Sequence, residues 1–512
     1  MNRTQTRFWS ALAAAMTLLS YSAAAEPCYD LRDPDARIAA CTQGINSGKL
    51  TAPQQAIGYS NRGVAYRQKG DGDRAIADFN EAIRLDPTFA APFYNRGLAY
   101  RDKREPDRAI ADYDEAIRLG LKDSDIFNSR GIAWFDKGDN DRAIADFTES
   151  IRLNPKDATT FSNRGAAYHE KGDNDHAVAD YSAAIRLDPK DATALFNRGS
   201  AYSDKGDNDR AIADFAEAVR LDPNYTNAFN NRGRIYNEKG DTDRAIADYS
   251  EAIRIDPTFA VAFSNRGSAY SDKGDNDRAI ADYSEAIRLD PKRVKAIYNR
   301  GIAWLETGDS DRAIADFTET IRLDPKDADG FSSRALAYRA KGDNDRAIAD
   351  FNEAIRLNPK SAKAYFARGR LYLFAGALEK ALTDLNQASA QAPKDAYVAL
   401  WADIAGQRNK LPSRLAQTSS KIDMTVWPAP VIKLFTNQMT TAAVLAAADD
   451  PDAAKKKGQI CEANFYSGEL SLAKGSKDEA IRLLRLAASD CPHGFTEWDA
   501  ANAELKTLGV VP

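Results

Sequence analysis

Between residues 56 and 395, small and apolar side chains return with a fixed period. Gly63, Gly97, Gly131, Gly165, Gly199, Gly233, Gly267, Gly301, Ala335 and Gly369 stand 34 residues apart each time, so ten units fill the stretch without insertion. Within a unit, small or apolar residues at positions 4, 8 and 11, and again at 20, 24 and 27, follow the spacing of one helix face. In the fifth unit these are Leu195, Gly199, Tyr202, Ala211, Phe215 and Ala218. The pattern predicts two helices per unit. The small residues at positions 8 and 20 let them approach, while Tyr202 and Phe215 fill the space between them and toward the next unit. Lys205-Gly206-Asp207 reads as the turn. Asp207 and Asp209 suit the start of the second helix, where carboxylates meet free N–H groups and the positive pole of the dipole. Arg220 suits the opposite pole, and Pro223 stops the helix. Units that share one core by stacking make the chain all-α and free its length from the usual limit on a single core.

The residues Leu195, Gly199, Tyr202, Ala211, Phe215, Ala218 and Pro223 resemble the tetratricopeptide repeat signature at nearly every position. The resemblance covers 56–395 and implies a right-handed superhelix of helix-turn-helix repeats. Ahead of it, Ile38 to Ile45 repeats the pattern of a second helix with Cys41 in the aromatic place, so 26–55 reads as a half-repeat cap. Behind it, Tyr397 to Gln407 opens a less regular helical region, 396–460, that contains Trp427-Pro428. From Cys461 the phase returns through Gly468, Gly475, Ala480, Leu484, Ala487 and Pro492, so 461–512 reads as a repeat-like unit with a capping helix from Thr496. Two units depart from the pattern. The second carries Arg104 at the turn glycine and ends in Gly120-Leu121, which predicts a local irregularity. The tenth carries Leu385 in the aromatic place, and its Leu373 and Phe374 are expected to pack on the region C-terminal to the repeats.

The N-terminus adds a compartment. Arg3 and Arg7 precede a short apolar run, Phe8 to Leu19, and Ala23-Ala24-Ala25 offers a cleavage site, so 1–25 reads as a secretory signal. The run is shorter than the ~20 apolar residues of a membrane span. No lipid-anchor motif accompanies it, and no stable membrane insertion is expected after cleavage. The expected location is periplasmic or secreted. Four cysteines agree with an oxidising compartment and are expected to pair as Cys28–Cys41 and Cys461–Cys491, the latter at unit positions 1 and 31 of one hairpin. Metal ligation needs tighter clustering than these four show. The net charge of −5 does not resemble the basic footprint of a nucleic-acid binder.

Candidate chemistry is sparse. There are three histidines, and His169 and His176 replace residues that are Arg, Asn or Ser in most sister units, so they read as surface variants. No phosphate loop, nucleophile elbow or zinc motif appears. The Gly-Asp-Asn-Asp run lacks the distal glutamate of a calcium loop and reads as helix capping. No cofactor is implied. Two rows stand out instead. Arginine holds position 7 and aspartate position 23 in all ten units, as in Arg164 with Asp180, Arg198 with Asp214 and Arg232 with Asp248. The family usually has leucine at position 7. A lone charge facing a helix interface is costly, so a ladder of structural ion pairs is expected.

The second row is Asn61, Asn95, Asn163, Asn197, Asn231, Asn265 and Asn299 at position 6, with Ser129 and Ser333 in two further units. The resemblance places this row on the inner, concave surface, where family members hold peptide backbones. An amide both donates and accepts, as a peptide group does. Helices packed ~8–10 Å apart would set one asparagine against about every third residue of an extended segment. The competing reading is that these residues solvate the groove or cap neighbours. Beside the row, Arg67, Arg101 and Arg339 are basic, and Asp102, Asp136, Glu170, Asp204, Glu238, Asp272 and Glu306 form an acidic stripe.

These features point to a non-enzymatic extracytoplasmic scaffold that binds proteins or peptides in its groove. The layout is loosely similar to NlpI-type periplasmic adaptors. Two other readings stand beside it: a stable subunit of an envelope polysaccharide or peptidoglycan machinery, and an enzyme with an unrecognised site in 396–460.

Overall fold

The computed structural model describes Cys28, residues 31–492 and residues 495–511. The expected signal segment and His493 lie outside the described residues. Among the described residues there are helices and turns and no strand. The chain divides into two compact units, Met1–Pro257 and Thr258–Pro512.

The first unit begins with α1 (Pro34–Asn46) and continues with helix pairs from α2 (Ala52–Gln68) and α3 (Gly72–Leu85) to α12 (Thr226–Glu238) and α13 (Thr242–Ile255). The fifth pair, α10 (Ala192–Asp204) and α11 (Asn208–Leu221), shows why each pair forms. Tyr202 O accepts from Asp207 N at 2.9 Å, closing α10 through Gly206 at φ 77°. Asp207 then caps α11 by accepting from Arg210 N at 3.3 Å. Ala211, Phe215 and Ala218 are fully buried. A methyl added at Gly199 would lie 2.9 Å from Phe215 Cε1, so the absence of a side chain at position 8 sets the closeness of the pair.

The irregular second repeat keeps both helices. Arg104 takes φ 60°, the left-handed turn conformation that glycine occupies elsewhere, and Pro106 opens a short α5 (Pro106–Arg118). In α1, Cys41 stands where later repeats have an aromatic ring and is disulfide-bonded to Cys28, with Cα atoms 5.1 Å apart.

The second unit has four pairs, from α14 (Ala260–Asp272) to α20 (Ala362–Phe374) and α21 (Leu378–Gln391). An eleventh first helix comes next, α22 (Ala396–Arg408), but its second helix is cut to one turn, α23 (Leu415–Thr418). Then come α24 (Ala429–Phe435), α25 (Thr441–Ala447), α26 (Ala453–Ala473), α27 (Lys477–Asp490) and α28 (Thr496–Thr507). Cys461 in α26 is disulfide-bonded to Cys491 just past α27, with Cα atoms 4.9 Å apart. α26 starts at Ala453, eight residues ahead of Cys461, because Asp452 caps it through Ala454 N and Lys455 N. This region holds a large core. Trp401 is fully buried against Phe465, with ring centroids 5.5 Å apart, and Phe374 packs on its edge at 5.9 Å. Leu373 is 2% exposed in the same core.

Candidate functional site

In all ten repeats the arginine at position 7 meets the aspartate at position 23 of its own pair at 2.7–2.8 Å. The contact is two-pronged. Arg198 Nε donates to Asp214 Oδ2 and Nη2 to Oδ1, both at 2.8 Å. Arg164 and Asp180, and Arg232 and Asp248, repeat the geometry. The third nitrogen does something the sequence pattern did not reveal: it reaches the preceding repeat. Arg164 Nη1 donates to Thr148 and Arg198 Nη1 to Ser182, both at 3.0 Å, and Arg96 Nη1 to Asn80 at 2.6 Å. Arg62 finds Thr42 of α1 at 3.0 Å, so the half-repeat supplies the same acceptor. Arg232 lacks this bond, because Ala216 holds the acceptor position. Each rung therefore ties the two helices of a repeat together, and most rungs also tie neighbouring repeats. Burial holds the Asp112 and Asp146 carboxyls above the ordinary carboxylate range, against the opposing pull of Arg96 and Arg130.

The asparagines of position 6 are half-buried rather than open to water. Some are committed to neighbours. Asn163 Nδ2 donates to Asn128 at 3.0 Å, Asn231 Oδ1 accepts from Asn230 at 3.2 Å, and in the second unit Asn299 Nδ2 reaches Ser268 at 3.5 Å. Asn265 is also engaged. The serines of the row pair with tyrosines, Ser129 with Tyr94 at 3.4 Å and Ser333 with Tyr298 at 2.9 Å. Asn95 and Asn197 make no side-chain hydrogen bond among the described residues, and Asn61 Nδ2 is buried without a partner. The flank is partly neutralised. Asp102 pairs with Arg67 at 2.6 Å, while Asp204 is hydrogen-bonded to the His169 ring at 2.7 Å. Asp136 and Glu170 carry no ion pair among the described residues.

In the second unit the same helix face closes over. Trp401 occupies position 6 of α22 and is covered by α26. Arg370, at position 9 of α20, donates to Thr496 Oγ1 at 3.2 Å and stands 4.9 Å from the Trp401 ring. Arg408 bridges Glu469 and Glu504, each at 2.6 Å. Glu462 accepts from Trp427 Nε1 at 2.6 Å and Tyr397 Oη at 3.0 Å, and Tyr466 Oη donates to Glu497 at 3.0 Å. Burial pushes Glu462 up to about 7, against those two donors. Burial also raises Glu469 to about 7, with Arg408 opposing and Glu504 adding, and raises Glu497. Burial lowers Arg370 to about 10. The sequence pattern missed this network. Its one visible signal was charge at positions 9 and 13 of α20 and α22. Each carboxylate meets an internal donor, with Glu469 Oε1 alone buried without one, so the cluster holds α26 and α28 (Thr496–Thr507) on the repeat face.

His176 stacks on Tyr168 with ring centroids 4.9 Å apart, so it substitutes for the arginines that hold this place in most sister repeats. Among the described residues no group of His, Cys, Asp or Glu is arranged to hold a metal ion. No helix among them is long and apolar enough to cross a membrane.

Family models recognise the repeat itself. A family model described as TPR repeat matches residues 63–103, 165–206, 233–274 and 335–374. Models described as tetratricopeptide repeat match 94–158 and 265–328, 192–225, 215–247 and 362–395. Together they span more than half of the chain. Among solved structures the chain is similar to YrrB, described as a TPR protein with an unusual peptide-binding site (25% identity, 37% of this chain and 96% of that chain, TM-score 0.34). It is similar to MamA (30% identity, 34% of this chain and 94% of that chain, TM-score 0.32). It is also similar to a tetratricopeptide repeat protein from Parabacteroides merdae (23% identity, 48% and 98%, TM-score 0.38). With models of one repeat matching along most of its ten periods, the chain belongs to the tetratricopeptide repeat family.

Proposed function

We propose that this protein is an extracytoplasmic, non-enzymatic scaffold that holds a protein or peptide segment along the position-6 face of its first unit. The observation that carries the reading is the set of amides left over there. Asn95 and Asn197 have no internal partner among the described residues, and Asn61 Nδ2 is buried without one. A half-buried amide without a partner is costly unless water or a ligand satisfies it. A peptide group supplies the matching donor and acceptor. The unpaired carboxylates of Asp136 and Glu170 beside the row favour a neutral or basic segment. Two disulfides support an oxidising compartment, as does the basic-then-apolar start of the sequence.

The test starts with a pull-down from a periplasmic extract on the immobilised protein. Titration calorimetry then compares the recovered partner against Asn61→Ala, Asn95→Ala and Asn197→Ala combined. Each neutral hydrogen bond is worth ~0.5–1.5 kcal/mol, so the triple variant is expected to bind about a hundredfold more weakly if the terms add. Its melting should hardly change, since these amides hold nothing inside the protein. Unaltered affinity in the folded triple variant would move the binding surface away from the row.

A further inference from the structure

The rung pattern stops one step short of the helices that could carry it. In α22 the three residues in register with the rung arginine and its flanking aromatics are Ala402, Ala399 and Gly406. In earlier repeats the guanidinium lies among large rings, as Arg62 does at 5.2 Å from Tyr59 and 6.0 Å from Tyr66. Losing all three side chains leaves an open cavity of about 670 Å³ between α21 and α22, floored by these small residues. It persists because α23 stops after one turn, so no full second helix packs over it.

One polar partner of a rung remains, and a carboxylate stands nearby. Asn386 lines the cavity at the position where Asn352 accepts Arg368 Nη1 at 2.6 Å and Asn80 accepts Arg96 Nη1 at 2.6 Å. Its own side chain has no hydrogen bond among the described residues. Thr418 stands where the rung aspartate would be, and Asp403 brings a carboxylate one residue from Ala402. Asp403 is 7% exposed and is held in place by Gln407 Nε2 at 2.7 Å and Arg414 N at 3.0 Å. A buried carboxylate favours an opposite charge, and a guanidinium shares its planar two-pronged geometry.

We propose that this cavity is a second binding site, separate from the asparagine face, and that it takes an arginine flanked by apolar side chains from a partner protein, completing an eleventh rung from outside. Arg414 and Lys421 line the rim with exposed side chains. They oppose a cation, so the site is tuned to be weak.

The probe is the tripeptide acetyl-Phe-Arg-Phe-amide, titrated into the full chain by calorimetry, with citrulline replacing arginine as the uncharged control. The arginine peptide is expected to bind at least tenfold more tightly than the control. Asn386→Leu, on an exposed position, should weaken it about three- to tenfold. Ala402→Arg supplies the side chain internally and should abolish binding without lowering the melting temperature. Arg414→Ala with Lys421→Ala should tighten binding several-fold. Equal affinity for both peptides overturns the proposal, as does a destabilised Ala402→Arg variant, which would show that the space does not fit a guanidinium. Weaker binding in the Arg414/Lys421 double variant also overturns it, since the rim would then be serving an anion.

Discussion

Replacing Arg198 by alanine removes a guanidinium that holds Asp214 with two bonds of 2.8 Å and Ser182 with one of 3.0 Å. The Asp214 side chain is 9% exposed, so the change strands a carboxylate with little water, while Arg198 at 21% exposure leaves a narrow path for solvent. Breaking a buried pair from one side costs ~3–5 kcal/mol. The partial access here puts the expected loss at about 3 kcal/mol. Arg232 supplies an internal control, because its rung has the same two bonds to Asp248 but faces Ala216 instead of a hydroxyl. Arg232→Ala should therefore cost about 1 kcal/mol less than Arg198→Ala, the worth of one neutral-acceptor bond.

A repeat array does not unfold as one unit, so a single melting temperature would blur the effect. Native-state hydrogen exchange resolves it. The opening free energy of amides in α10 and α11 should fall by the full amount, while α2 and α3 stay within ~0.5 kcal/mol. Arg198→Met with Asp214→Leu should recover most of the loss, because two apolar groups leave no charge unpaired. If Arg198→Ala leaves exchange in α10 and α11 unchanged, or the double variant is as weak as the single, the rung does not hold its helix pair by a buried ion pair and the argument fails.

The geometry sets three further outcomes. Arg104→Gly should stabilise the second repeat by about 1 kcal/mol in denaturant titration, since Arg104 sits at φ 60°, where a side chain is strained and glycine is not. Gly97→Ala should lower stability by ~1–3 kcal/mol, because the added methyl would lie 2.6 Å from Cε1 of the fully buried Tyr113; gained stability would show that the helix pair can spread. The covering of the repeat face by α26 and α28 should strengthen as pH falls. Burial raises Glu462 from 4.5 to about 7, so the folded state takes up a proton that the unfolded chain does not. The resulting stability is fully present below 4.5 and lost as pH rises through 7, about 2 kcal/mol between pH 5 and pH 8. Hydrogen exchange in α26 that slows on raising the pH, after correction for intrinsic rates, would contradict this.

Much of the repeat was legible because its signals recur. A small residue every 34 positions has one economical reading, and Gly199 against Phe215 shows the contact behind it. The row of arginines at position 7 demanded a partner on electrostatic grounds alone, and the aspartates sixteen residues on are what they meet. The third arm of the rung was hidden because its acceptors differ in kind. Asn80, Asp114, Thr148 and Ser182 share no residue type, only a lone pair facing the next repeat. The asparagine row looked uniform in sequence and is not uniform in surroundings. Asn163 is tied to Asn128 while Asn197 makes no side-chain hydrogen bond among the described residues, a difference written at position 5 of the neighbouring repeat.

The C-terminal network was the least legible part, for a reason that also explains what it does. A period reports contacts between adjacent repeats, where separation along the chain is fixed. Arg370 meets Thr496 across 126 residues and Arg408 meets Glu504 across 96, and neither spacing occurs twice. The residues involved broke the pattern before they explained it: Trp401 in the place of an asparagine, Arg370 where the other repeats vary among Val, Leu, Ala, Ser and Ile or carry Arg234, and Ala402 in place of the rung arginine. Arginine at position 7 is kept in all ten repeats, so Ala402 marks a helix released from that stacking. In α22 one face has been released toward a cover of the chain's own, where Trp401 is buried under α26 and Arg408 is ion-paired to α26 and α28. The other face, at Ala402, has been released with nothing among the described residues filling it. The two faces lie on one helix under the same loss of repeat constraint, and only one is closed, so the open one is where a partner side chain would restore what the ten earlier rungs contain.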